Sequence, residues 1–247
     1  FAPLRDEWDE KHYCPYEGAV NPQGELGLCG TVISEAYGGS EMGWLAAMII
    51  SEEIARASSS LRVQINMQTL GCAYTIEKYG SEELKMQHLP PIIRGDIRWA
   101  QGYSEPNAGS DLASLQARAD DRGDYYIVNG AKIWTSYGEK GDWMFALIRT
   151  DTETPKHQGI SFLLFDMESP GVSTNPIKLI SGNSPFCETV CENVKVPKEN
   201  MVGELNTGGD IAKYLLTHER EMIGGFGVSR AGTKTLGETA CAAIGPK

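Results

Sequence analysis

Two short stretches of this chain carry residue types suited to holding a small polar molecule. The first is Trp99-Ala100-Gln101-Gly102-Tyr103-Ser104-Glu105-Pro106-Asn107-Ala108-Gly109-Ser110-Asp111. It is dense in hydroxyls, amides and turn formers. Pro106 biases Glu105 away from helix, and Asn107-Ala108-Gly109-Ser110 reads as a loop. The second is Lys132-Ile133-Trp134-Thr135-Ser136. An aromatic ring, several small donors and a glycine that admits a close backbone approach suit a flat polar ring. The same composition also describes an ordinary surface turn, so the flanking elements have to decide.

Those elements change character twice. Residues 1 to about 98 read as mainly helical. Gly38-Gly39-Ser40-Glu41 is a loop leading into a helix with Trp44, Ala47, Met48 and Ser51 on one face, which stops near Ser58-Ser59-Ser60. A second helix is expected from about Leu61 to Tyr79, closed by Gly80. Ser81, followed by Glu82 and Glu83, caps a third that ends before Pro90-Pro91. From Trp99 to about Val202 the period becomes two. Tyr125 to Val128 runs into Asn129-Gly130, a hairpin signal, and Ala131 to Thr135 returns. Met144 to Arg149, Ile160 to Phe165, Val172 to Ile177 and Glu188 to Val196 are further strands, which suggests a sandwich or barrel of seven or eight. After Gly203 the helical period returns, with Ile211, Tyr214, Leu215, His218 and Met222 on one face and a further stretch from Val228. The fold class expected is mixed α and β, multidomain. An N-terminal α-helical domain (1–98) precedes a middle β-barrel or sandwich domain (99–205) and the start of a C-terminal α-helical bundle (206–247).

Composition narrows the partners. The 247 residues carry a net charge of −11, which argues against nucleic acid or an anionic membrane as main partner. No apolar run approaches the roughly 18 residues that span a bilayer. Phe1-Ala2-Pro3-Leu4-Arg5-Asp6 has neither the basic nor the apolar region of a signal peptide, although the chain starts without Met. The six cysteines, Cys14, Cys29, Cys72, Cys187, Cys191 and Cys241, form no C-x-x-C pair and are expected to be free thiols in a reducing compartment. The four histidines are scattered, and no metal site is expected. No G-x-G-x-x-G follows a strand, so a Rossmann cofactor site is not supported.

The string Tyr103-Ser104-Glu105-Pro106-Asn107-Ala108-Gly109-Ser110-Asp111, then Asn129-Gly130-Ala131-Lys132-Ile133-Trp134-Thr135-Ser136, then Asp142-Trp143, resembles the acyl-CoA dehydrogenase family. So does Lys78-Tyr79-Gly80-Ser81-Glu82-Glu83-Leu84-Lys85 before Leu89-Pro90, and the order helices, sheet, helices. The resemblance extends over nearly the whole chain. It implies that the family's first helices precede residue 1 and that a long stretch of helical domain follows residue 247.

It further implies FAD held between the sheet and the C-terminal helices. Gln101, Gly102, Tyr103 and Ser104 would line the isoalloxazine, Ser110 would close that segment near flavin and substrate, and Trp134, Thr135 and Ser136 would pack on the ring near N5. The implied reaction converts an acyl-CoA to a trans-2-enoyl-CoA. A carboxylate takes the α-proton and the β-hydride passes to the flavin. Most members place the base late in the C-terminal domain. A minority, resembling the isovaleryl- and long-chain-type enzymes, place it just before an arginine on that domain's first helix, a position that Glu219 matches. Glu219 lies one turn after Leu215, at the edge of the apolar face. Its alternative role is a local ion pair, with the base beyond Lys247. Thr217, His218, Glu219 and Arg220 would line the acyl-CoA site. The family commonly has Phe-Asn-Glu where this chain has Phe186-Cys187-Glu188. The resemblance also implies an electron-transferring flavoprotein as partner, a homotetramer, and a bacterial cytoplasmic or mitochondrial matrix location. Two other readings stay open: a non-catalytic flavin- and acyl-CoA-binding subunit of a heteromer, and a flavin oxidase on the same scaffold.

Overall fold

The computed structural model of the chain describes residues 16–224, together with residues 7, 10, 11 and 241–243. His12, Cys14, the Met222 side chain and most of the helical stretch expected from Val228 lie outside the described residues.

From Tyr16 on, the described residues begin with five α-helices: α1 (Tyr16–Glu25), α2 (Gly43–Ala57), α3 (Ser59–Asn66), α4 (Tyr74–Tyr79) and α5 (Glu82–Arg94). Ser58 ends one helix, donating its backbone N–H to the Ile54 carbonyl, and caps the next, its hydroxyl accepting the Leu61 N–H at 3.2 Å. The expected helix from Leu61 to Tyr79 is present, but seven residues in its middle, Met67–Ala73, widen to a π-helix. Such widening is uncommon and redirects side chains. Here it serves Gln68, whose side-chain amide closes on the backbone of Trp99: the Trp99 N–H donates to Oε1 at 2.7 Å and Nε2 donates to the Trp99 carbonyl at 3.2 Å. The helical layer is thereby bonded to the first residue of the sheet.

One helix end differs from expectation. Helix α5 runs through Pro90 and Pro91 to Arg94, where Gly95 ends it in the left-handed conformation. Proline removes a helical hydrogen bond and crowds the carbonyl four residues back. Those carbonyls belong to Met86 and Gln87, both at exposed positions, while Leu89, Ile92 and Ile93 are buried. Burial of three large side chains, about 1.5–3 kcal/mol each, offsets a penalty of about 3 kcal/mol for each of the two prolines.

The middle of the chain forms one network of eight strands: β1 (Trp99–Gly102), β2 (Arg118–Asp121), β3 (Tyr125–Ser136), β4 (Trp143–Arg149), β5 (Ile160–Asp166), β6 (Val172–Ile177), β7 (Phe186–Pro197) and β8 (Met201–Val202). The order is β6-β7-β3-β2-β4-β5-β8, with β1 pairing β4 in parallel. The expected hairpin at Asn129-Gly130 is not there. Strand β3 runs straight through it, and its register against β7 shifts between Val128 and Gly130. Opposite, Asn193 has φ 55° and donates its N–H to the Asn129 side chain at 2.8 Å. Asparagine and glycine make a bulge that bends both strands, a second use of the conformations that make tight turns. Gly130 has φ +147°, and a Cβ there would lie 2.5 Å from Ala117 Cα.

Strand β4 is buried on both sides, which explains its unbroken apolar run. Met144, Ala146 and Ile148 join a cluster inside the curved sheet with Val128, Leu163 and Val194. Phe145 and Leu147 face the helices and pack with Ile76, Leu89, Tyr103, Ile211 and Leu215. The last of these belong to α6 (Gly208–Gly224), which lies against β4, β5 and the π segment.

Candidate active site

Strand β1 pairs with β4 in the sheet and reaches α6 through Gln101. Gly102 permits this closeness, because a Cβ there would sit 2.5 Å from Met144 Sδ and 3.0 Å from Ala146 Cβ. Gln101 points the other way and donates from Nε2 to Glu219 Oε2 at 3.4 Å. That contact joins the polar stretch of the sheet to the carboxylate on α6, across 118 residues of sequence.

Glu219 is half-buried. Desolvation raises its carboxyl above the usual range, and the Gln101 hydrogen bond and the Arg220 charge oppose the rise. Tyr103 is 6% exposed, and its hydroxyl has no protein partner. Burial pushes that phenol well up, and the charges of Glu219 and Cys72 add to the effect. Tyr103 packs edge-on against Phe145 and Phe162, so the carboxylate stands beside an aromatic, low-dielectric wall.

The two polar stretches are joined laterally. The Ile133 N–H donates to the Ser104 carbonyl at 2.8 Å. Just beyond, β3 is irregular again: Trp134 has φ 61°, and the register against β7 shifts between Lys132 and Thr135. A bulge of this kind re-aims a side chain. The Trp134 indole is left 53% exposed, with Phe186 edge-on at 6.2 Å. Left-handed backbone at a bulky residue costs about 1–3 kcal/mol.

The remaining residues singled out from the sequence divide. Ser104 is half-buried, and Ser136 and Ser110 are exposed, the last on a loop pinned by Lys156 to Asp111 at 2.6 Å. The Thr135 side chain is fully buried and accepts from the Thr189 hydroxyl at 3.3 Å, so its hydroxyl is turned into the sheet. Thr217 is exposed and spends its hydroxyl on the Lys213 carbonyl. His218 packs among aromatics, stacked on Trp44 at 4.9 Å and edge-on to Tyr74 and Tyr214. Arg220 is exposed. Two contributors were given no role by the sequence. Gln68 looks like an ordinary member of its helix, and Lys132 sits in an alternating strand where a lysine reads as solvent-facing. Lys132 is in fact 2% exposed.

The fold and the sequence have known relatives. Residues 1–96 match the domain described as Acyl-CoA dehydrogenase, N-terminal domain, and residues 100–194 match Acyl-CoA dehydrogenase, middle domain. A glutaryl-CoA dehydrogenase of Desulfococcus multivorans is 44% identical over 235 residues, covering 93% of this chain and 60% of that protein. The structure of a glutaryl-coenzyme A dehydrogenase in complex with glutaryl-CoA superposes with a TM-score of 0.83 at 45% identity, covering 90% of this chain and 57% of the other. That of the electron transferring flavoprotein of Acidaminococcus fermentans superposes with a TM-score of 0.82 at 31% identity, over 90% and 58%. The chain thus spans about 60% of the length of the relatives it matches. With both domain matches in sequence order on a helical layer and an eight-stranded sheet, the chain belongs to the acyl-CoA dehydrogenase family.

Proposed function

We propose that this chain carries the flavin cleft and the catalytic base of an acyl-CoA dehydrogenase, with Glu219 taking the α-proton of the thioester. The observation that carries the proposal is the 3.4 Å contact between Gln101 and a half-buried Glu219, which sets a carboxylate of raised pKa at the meeting of sheet and helix. A base of raised pKa is better matched to a weakly acidic α-carbon than an ordinary glutamate. In this reading residues 1–98, 99–205 and 206–247 are three folding units, and the cleft lies where the second meets the third.

Members of the family bind FAD, and the residues here fit it. An indole bulged outward at 53% exposure, with Ser136 two residues on and the Ser104 carbonyl bonded to the N–H of its neighbour Ile133, offers a flat face on a segment rich in donors. Gln101, Gly102, Tyr103 and Ser104 would hold the pyrimidine side, Trp134 and Ser136 the face near N5, and Ser110 the mouth. Thr135 would serve through its backbone. FAD supplies a hydride acceptor. The protein residues orient the thioester, exclude water through Tyr103, Phe145 and Leu215, and receive the proton at Glu219. Thr217 to Arg220 form the substrate-side rim, with His218 bracing α6 against α2 and α4 through Trp44 and Tyr74.

Two relatives carry glutaryl-CoA in their names, a thioester with a second carboxylate at its far end. A short dicarboxylic acyl-CoA is the substrate class proposed, with an electron-transferring flavoprotein as acceptor and a homotetramer as the assembly.

The test is anaerobic bleaching of the flavin band. Glutaryl-CoA should bleach the wild-type protein, and Glu219→Gln should abolish bleaching while the flavin stays bound. Normal bleaching in that variant would place the base elsewhere. Peroxide formed in air would favour an oxidase, and a protein that binds acyl-CoA without bleaching would be a non-catalytic subunit.

A further inference from the structure

A buried ion pair lies directly behind the two stretches proposed to hold flavin, and nothing in the reaction so far uses it. Lys132 Nζ and Glu105 Oε1 are 2.7 Å apart, with side chains 2% and 7% exposed. The ammonium has three protons and three partners: Glu105, the Leu147 carbonyl at 2.6 Å and the Tyr103 carbonyl at 3.3 Å. The carboxylate in turn accepts the N–H groups of Gln116 at 2.6 Å and Ala117 at 3.0 Å. One pair of side chains therefore ties together β1's continuation, β3, β4 and the approach to β2. Burial lowers the Lys132 pKa and the Glu105 charge raises it, so the ammonium form depends on its partner.

Stability alone does not account for such a pair. Buried ion pairs often contribute no more than apolar residues of the same volume would. Its position is more informative. Lys132 grips the carbonyl of the Tyr103–Ser104 peptide. In a trans peptide the N–H points opposite to the C=O. The Ser104 N–H is consequently aimed away from the ion pair. A cation on a peptide oxygen also polarises the whole group and strengthens the N–H as a donor. The neighbouring peptide is held as well, because the Ser104 carbonyl accepts the Ile133 N–H.

We propose that Lys132, fixed by Glu105, is a positioning residue that orients and polarises the Tyr103–Ser104 peptide so that the Ser104 N–H serves as a strong donor to the pyrimidine edge of the flavin. The inference rests on the flavin reading above. Reduced flavin carries more negative charge at that edge than oxidised flavin, so this donor binds the reduced form more tightly and raises the reduction potential.

Three variants of the whole protein test it, read by FAD affinity, the flavin absorbance spectrum, reduction potential and melting temperature. Lys132→Met should weaken FAD binding at least tenfold and lower the potential; a further tenfold loss confined to reduced flavin corresponds to about 30 mV. The double variant K132M/E105Q removes both buried charges, so its melting temperature should recover while weak FAD binding and low potential persist. Glu105→Gln alone, which keeps the amine on the Tyr103 carbonyl but weakens its hold on the proton, should lose clearly less FAD affinity than Lys132→Met. Recovery of FAD affinity together with stability in the double variant would overturn the proposal, because the pair would then matter only to folding. So would a Glu105→Gln loss equal to that of Lys132→Met, or an unchanged spectrum and potential in Lys132→Met. A wild-type protein that takes up no FAD would instead overturn the flavin reading itself.

Discussion

His88 offers a test of how the helical layer is held to the sheet. It is 2% exposed on α5, with its ring edge-on to Trp99 at 5.1 Å and to Trp143 at 4.6 Å, the residues that open β1 and β4. Its Nε2 is buried without a partner. Burial pushes its pKa down from the ordinary 6.5 to about 4. The depressed value means that the unfolded chain binds a proton before the folded one does. The neutral ring's contribution to stability is therefore complete above pH 6.5 and is lost as the pH falls from there toward 4. Each unit of separation is worth about 1.4 kcal/mol, so between pH 7 and about pH 4.5 this one group removes about 2 kcal/mol. For a chain of this length that is roughly 4–8 °C in melting temperature. Carboxylates also contribute to acid sensitivity, so the informative quantity is a difference. His88→Phe keeps an aromatic ring against the two indoles and removes the titration. Urea unfolding of both proteins across that pH range should show the variant losing about 2 kcal/mol less than wild type. Equal losses would mean that His88 is protonated freely in the folded state and that this junction is looser than the packing implies.

Three further outcomes follow from the geometry. Gln101→Leu removes a donor to the ionised Glu219, so the pH at which the flavin begins to bleach with substrate should move upward; a downward or absent shift would mean the contact does not govern the base. Trp134→Ala should release flavin on dialysis while changing the urea midpoint of the flavin-free protein little, since the indole is already half-exposed and alanine keeps the same left-handed backbone with no more strain. Gly130→Ala forces a Cβ against the Ala117 backbone at φ +147° and should cost about 2 kcal/mol or more in urea unfolding; a near-neutral result would show that the bulge can shift.

Local chemistry made much of this legible in advance. Ser81 reads as a cap and is one, accepting the Leu84 N–H. The change of period at Trp99 marks where strands begin, and the helical face after Gly203 carries Ile211 and Leu215 into the core. The strings around Ser104 and Trp134 pointed to one flavin family because their residue types are specific. What local chemistry could not decide was use. Asn129-Gly130 suits both a hairpin and a bulge, and pairing with β7 along the whole of β3 selects the bulge. Pro90-Pro91 usually ends a helix, but three buried neighbours carry α5 onward. Lys132 alternates as a solvent residue should, yet it is buried because Glu105, 27 residues earlier, is folded against it. The sequence by itself settled the family, the fold class and roughly where elements start. Only tertiary structure brought Gln101 to Glu219 and buried Lys132, because both contacts depend on segments far apart in the chain, whose juxtaposition is set by packing the sheet, the π segment and α6 around one apolar core.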